Sequence, residues 1–226
     1  MELQPVLTYL TQLERHNERT WYHAHKAEYQ AANAAFEELV RSLLPAVRQF
    51  DESILLAEPR ELTFKLTRDT RFSHDKSPYN PSFRAHLGPR GKLPIPVGYY
   101  LLLRPGDRSF LGGGLFADIF KDATAMVRDA IAENGDAWQR IVSAPAFAEC
   151  FTVGGTALKR VPRGYDPAHP AAQYLKNKSW YLEYPVSDAQ VLAPDFPEFA
   201  AHVFARMQPF NAFLNQALVG FRMPSR

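Results

Sequence analysis

The chain has 226 residues, of which 46% are hydrophobic and 22% charged, and it carries a net charge of +2 at pH 7. A chain of this length buries roughly 70% of its unfolded surface without a metal or disulfide staple, so one domain spanning residues 1–226 is expected. The composition is that of an ordinary globular protein, and no run approaches the roughly 18 consecutive apolar residues of a membrane span, so no membrane partner is expected.

The N-terminal stretch MELQPVLTYLTQLERHNERTW has Glu2 and Gln4 where a signal peptide carries its basic region, so export is not expected. Val6, Leu7, Leu10 and Leu13 recur at helical spacing until the polar run ERHNER, which predicts a short first helix. Thr20 is placed to cap a second helix, whose stripe of Trp21, Ala24, Tyr29, Ala32, Phe36, Leu39, Val40 and Leu43 ends before Pro45. In ELTFKLTR, Leu62, Phe64 and Leu66 alternate with Thr63, Lys65 and Thr67, the period of a half-buried strand. SFRAHL predicts another strand. The loop LGPRGKLPIPVG then connects to VGYYLLLRPGDRSFLGGGLF, a hairpin turning on Pro105, Gly106 and Asp107 whose first arm is apolar on both faces and therefore central.

Asp118 is placed to cap a helix through Ile119, Ala123, Met126, Val127 and Ile131, stopping near Asn134 and Gly135. Short helices are expected around Trp138, Ile141 and Val142 and in APAFAECF. SWYLEYPV alternates as a strand with Tyr181 and Glu183 on a wet face. A terminal helical region aligns Phe196, Phe199, Val203, Phe204, Met207, Phe210, Phe213, Leu214, Ala217 and Leu218, with Pro209 kinking or dividing it. Strands between helical ends predict an α+β fold with a central, mostly antiparallel sheet.

The charge is uneven. Residues 66–92 hold six Lys/Arg against two Asp, residues 156–178 hold five against one, and the rest of the chain sums to −6. This asymmetry points to an anionic partner. In RDTRFSHDKSPYN, Arg68, Arg71, Lys76 and Tyr79 supply donors, with Asp69 and Asp75 placed to orient the guanidinium forks toward carboxylate or phosphate. Lys159, Arg160, Tyr165, Asp166, His169, Lys176 and Lys178 repeat the same residue types. The two segments are expected to meet in one cleft that binds a small anionic ligand through Arg68, Arg71, Lys76, Tyr79, Lys159, Arg160, Tyr165 and Lys176. Asp69, Asp166 and His169 are the candidate proton-transfer groups there. The competing readings are a nucleic-acid module, with Tyr79, Phe83, Tyr165 and Tyr174 as stacking platforms, and a structural or interaction protein whose basic loops pair with its own acids.

Other motifs carry less. Gly112-Gly113-Gly114 lacks the lysine and hydroxyl of a nucleotide loop and reads as a bulge or tight packing turn. His23 and His25 point in different directions on a helix, and Asp166 with His169 suits a turn hydrogen bond better than a metal, so no metal site is expected. Ser73 and Ser77 lie in no nucleophile elbow, and the cofactor remains unassigned. Cys150 is the one cysteine; it reads as a buried small hydrophobe, and a cytoplasmic location is expected.

The segments NERTWYHAHKAEY, RDTRFSHDKSPYN, GGGLF and LKRVPRGYDPAHPAAQYLKNKS, in this order, resemble the bacterial and fungal conserved hypothetical proteins called domain of unknown function 2461. The resemblance covers nearly the whole chain. It implies a single domain and marks motif positions, and it assigns no reaction, cofactor or partner. The chain departs from the family pattern at His74 and Asn80, where lysines are expected, while Arg68, Arg71 and Lys76 remain.

Overall fold

The computed structural model describes residues 2–116 and 118–224. Its N-terminal part is helical: α1 (Gln4–Arg15), α2 (Arg19–Ala24), α3 (Lys26–Arg48) and the single turn α4 (Pro59–Leu62). The predicted second helix is therefore two helices. Glu18, not Thr20, stands at the N-cap of α2, and the backbone leaves helical geometry at His25 (φ −107°, ψ 34°) before α3 begins. Pro45 lies inside α3 and does not end it. Phe36, Leu39, Val40, Leu43 and Val47 are all fully buried on both sides of that proline, so packing of the stripe outweighs the one backbone bond proline removes.

The sheet has four strands in the order β1 (Phe83–Leu87), β2 (Tyr99–Leu103), β3 (Ser109–Leu115) and β4 (Trp180–Val186), all antiparallel. The β2–β3 hairpin turns where predicted, with positive φ at Gly106 (81°) and Asp107 (57°). Glycine is required at position 114, where φ is 90° and a Cβ would stand 2.4 Å from the Trp180 carbonyl oxygen. ELTFKLTR does not form a ladder strand. Thr63 bridges Ala85, with the Phe64 N–H donating to the Arg84 carbonyl (2.9 Å), and Thr67 bridges Tyr79, but the pairing is interrupted between the two bridges, where Pro81 offers no N–H on the partner side.

Between β3 and β4 lie α5 (Lys121–Glu133), α6 (Gly135–Val142), α7 (Pro145–Ala148) and α8 (Ala172–Leu175). After β4 come α9 (Asp188–Val191) and the long α10 (Phe196–Ala217), which runs through Pro209. Phe120, not Asp118, is the N-cap of α5.

One face of the sheet carries the core. Phe83 stacks on Phe36 of α3 (ring centroids 5.3 Å), Tyr99 meets Phe204 of α10 (5.3 Å), and a Cβ at Gly113 would press on Met207 Sδ at 3.0 Å. Each of these large side chains contributes about 1.5–3 kcal/mol by leaving water, and the core they join runs from Leu3 to Leu218 without a break. Asn211 and Asn215 of α10 bond the chain just before β2: Asn211 Nδ2 donates to Gly98 O (3.1 Å), and Val97 N–H donates to Asn215 Oδ1 (2.7 Å). The other face of the sheet carries no helix of its own among the contacts that organise the core.

Candidate functional site

Side chains on a strand alternate between faces, so the residues of β1 to β4 that do not enter the core point to the open face. The register aligns four of them in one row across the sheet: His86 opposite Tyr100, Tyr100 opposite Gly112, and Gly112 opposite Glu183. Gly112 has no side chain, and aromatic rings take up the room this leaves in the row. The Phe116 ring leans over the glycine, 3.0 Å from where a Cβ would stand, and stacks on Tyr181 (4.7 Å between centroids). Phe64 forms a second wall, and the loop before β2 brings Lys92 and Pro94 over the edge. With His86, Tyr100, Leu102, Phe110, Phe116 and Glu183 they line an open pocket of about 310 Å³, within the range of small-molecule sites.

The polar groups of this cup are few, and they run from buried His86 through half-buried Tyr100 to exposed Lys92 and Glu183. His86 is buried, and its Nδ1 lies 2.8 Å from the Gly91 carbonyl oxygen. A carbonyl only accepts, so Nδ1 carries the proton, and burial lowers the imidazole pKa and keeps the ring neutral. That leaves the Nε2 lone pair as an acceptor. Burial raises the Tyr100 phenol, although the nearby Arg84 guanidinium draws it partly back. Burial also raises the Glu183 carboxyl, which has no hydrogen-bond or ion-pair partner among the described residues. Lys92 Nζ donates to Thr63 O (2.9 Å) and reaches Arg60 O (3.5 Å), leaving one of its three N–H donors free. Perturbed titratable groups of opposite kinds around an aromatic-walled cavity are the usual signature of a binding or catalytic centre.

The predicted cationic residues lie elsewhere, in two places. The Arg68–Asn80 segment closes on itself through Arg68 N–H to Pro78 O (2.9 Å) and Asn80 N–H to Leu66 O (2.7 Å). Arg68 pairs with Asp75, whose carboxyl is held well below the usual range first by the Ser77 hydroxyl (2.6 Å) and then by Arg68. Arg71 grips Asp69 through Nε (3.0 Å) and Nη2 (2.6 Å), which lowers that carboxyl too. Lys76 Nζ donates to Thr70 O (2.9 Å). Tyr79 is buried, stacked on Tyr22 (4.3 Å), with its backbone N–H and carbonyl both bonded to the Asn17 amide (3.1 and 2.9 Å). Phe72 at the tip is 95% exposed.

In the second segment, Lys159 and Arg160 are exposed and make no hydrogen bond or ion pair among the described residues. The Tyr165 hydroxyl donates to Asp129 (2.7 Å), and burial pushes its pKa up to about 12. Asp166 accepts from Ala168 N–H (2.8 Å), and His169 Nδ1 accepts from Ala171 N–H (3.0 Å). Both side chains are thus engaged by their own turn, and no group of three or more His, Cys, Asp or Glu among the described residues has the spacing of a metal site. Lys176 is half-buried beside Asn177, and its carbonyl accepts from Leu158 N–H (2.8 Å).

The expectation that the two basic segments share one cleft is corrected by the register. The first segment leads into Phe83, at the end of edge strand β1 that lies level with Leu103, Ser109 and Val186. The second leads into Trp180, which starts the opposite edge strand and sits level with Leu115, at the far end of the sheet. Three strand spacings, about 14 Å, separate the edges before any offset along the strands is counted. The segments enter at diagonal corners, and no hydrogen bond or ion pair joins them among the described residues.

Sequence reasoning missed the cup because it draws single residues from four strands and two loops. The usable signal was parity: His86, Tyr100 and Glu183 each occupy the non-core phase of a strand, and Gly112 makes room for the Phe116 ring.

Fold and site define an α+β protein whose antiparallel sheet is covered by helices on one face and forms an aromatic cup on the other. The chain matches the family described as conserved hypothetical protein (DUF2461) over residues 5–213, and it belongs to that family. No curated protein and no solved structure matches it. No helix among the described residues is long and apolar enough to cross a membrane.

Proposed function

We propose that the protein binds a small anionic molecule with a flat apolar body in the cup on the open face of the sheet. The observation that carries this reading is the row His86–Tyr100–Gly112–Glu183, whose His86, Tyr100 and Glu183 line a pocket walled by Phe64, Phe110 and Phe116. The aromatic walls take the flat body, the free donor of Lys92 takes carboxylate or phosphate, and His86 Nε2 accepts a hydrogen bond from the ligand. The Arg68–Asn80 loop reads best as a structural closure, since its cations already have partners within the loop. Lys159 and Arg160 remain the part of the predicted cationic wall open to an anion from solvent.

Thermal unfolding with benzoate, phenyl phosphate and inorganic phosphate separates these readings. A ligand at about 100 times its dissociation constant adds about 2.7 kcal/mol of stability. A saturable shift is expected with benzoate or phenyl phosphate. It should be lost in Leu102→Trp, which fills the cavity, weakened in Lys92→Met, and kept in a Lys159→Ala/Arg160→Ala double variant. Loss in the double variant with retention in Lys92→Met would place the anion at the second basic segment, and no saturable shift with any of the three probes would end the proposal.

A further inference from the structure

A second cavity, of about 750 Å³ and open to solvent, lies between α6, α7 and α10. Its floor is apolar, and four of its residues are alanine, whose small side chains leave the space open: Ala137, Ala144, Ala146 and Ala205, with Ile141 and Phe147 beside them. Its polar rim is basic. Arg140, His202 and Arg206 border it and no carboxylate does. Neither arginine has an ion-pair partner among the described residues; the one bond either makes is Arg206 Nη1 donating to the Cys150 sulfur (2.6 Å), a weak acceptor. Two guanidinium groups without counter-charges beside an apolar channel leave both the charge and the apolar surface uncompensated.

We infer that this groove binds a long-chain carboxylate, with the acyl chain along the alanine-lined floor and the carboxylate on Arg140 and Arg206. The apolar floor, with basic side chains only at its rim, selects an amphiphile over a uniformly polar ligand. Charge selects a carboxylate over a cationic or neutral head. The groove shares no lining residue with the cup, so this inference stands independently of the function proposed above.

The test is calorimetric titration of the full chain with dodecanoate, dodecanol and dodecyltrimethylammonium, each below its aggregation concentration. Dodecanoate is expected to bind at least about tenfold more tightly than the other two, the size of one charge-assisted contact. Ala205→Trp should abolish the binding by filling the floor, and Leu102→Trp, in the cup, should leave it unchanged. Arg140→Glu with Arg206→Glu changes exposed side chains only and keeps the test decisive if Ala205→Trp does not fold; it should reverse the preference toward dodecyltrimethylammonium. Equal binding of all three amphiphiles, loss of dodecanoate binding in Leu102→Trp, or retention of the dodecanoate preference in the double charge reversal would each overturn the inference, as would no binding of dodecanoate.

Discussion

The basic loop at residues 68–80 and the cup on the open sheet face are opposites in how they handle charge. The loop is dense in charge along the chain, yet nearly every charge is answered within a few residues: Arg68 by Asp75, Arg71 by Asp69, Lys76 by the Thr70 carbonyl. The cup has few ionisable groups, contributed by residues distant in sequence: His86 is buried and neutral, and Glu183 has no charged partner among the described residues. Local charge density therefore marks where a segment can satisfy itself. The groups of the cup, gathered by the fold from four strands and two loops, have no such answer close by in the chain.

The comparison is sharpened most by removing what pins the loop. Asn17 bonds both the N–H and the carbonyl of buried Tyr79, so Asn17→Ala leaves two backbone groups without partners. A loss of about 2–3 kcal/mol in denaturant unfolding is expected, the usual penalty for orphaned buried polar groups. Ligand binding in the cup should survive it. A stability loss in the noise would show that the loop is not a structural closure.

The next effect belongs to the cup. His86 has a pKa lowered from the ordinary 6.5 by burial, so the folded state binds fewer protons than the unfolded one. Its contribution is complete above pH 6.5 and is lost as the pH falls toward and through the folded value. Wild-type stability should therefore decline on acidification below pH 6.5. His86→Asn, whose amide can replace the Nδ1 donor to Gly91, should flatten that part of the profile. An unchanged slope would locate the titrating group elsewhere.

Much of the fold was readable because its segments are locally periodic. The β2–β3 hairpin, β4 and the short helices α6 and α7 follow from alternation, turn residues and short apolar runs. The break at His25 was not readable, since the apolar stripe continues in phase from α2 into α3 and only the backbone changes. The strand expected in ELTFKLTR had the right period, but its partner side is interrupted before β1, a fact that lives in the pairing. The site was readable only in fragments. The wet face of SWYLEYPV did place Glu183 outside the core, yet nothing in the chain says that Glu183, Gly112, Tyr100 and His86 share one row, because register is a property of four strands together.

A smaller effect is expected at the other end of that row. Burial raises the Glu183 carboxyl above the usual 4.5, so the ionised form is penalised in the fold. The penalty is absent below pH 4.5 and appears as the pH rises through the folded value. Glu183→Gln should then be more stable than the wild type at neutral pH, by no more than about 0.5 kcal/mol because water screens a group this open, and equal to it at pH 4. A variant less stable than the wild type at pH 7 would mean that the carboxylate has a favourable role in the fold.

The smallest effect tests the loop by its most conspicuous ion pair. Arg71 and Asp69 form a forked contact with good geometry, but their side chains are 78% and 56% exposed. Solvent competes for both partners, and holding two long side chains in one geometry opposes the small Coulomb gain. Asp69 also accepts the Arg71 backbone N–H (3.1 Å), so its turn-forming role does not need the guanidinium. Arg71→Ala is accordingly expected to unfold within error of the wild type, to keep the same salt dependence, and to leave the benzoate and phenyl phosphate shifts intact. Asp69→Ala removes the turn as well and should be the more damaging of the two. The reverse order, with Arg71→Ala damaging and a ligand shift lost, would mean that the guanidinium faces an anion in solution, and the contrast between a self-satisfied loop and an unsatisfied cup would fail at its most charged residue.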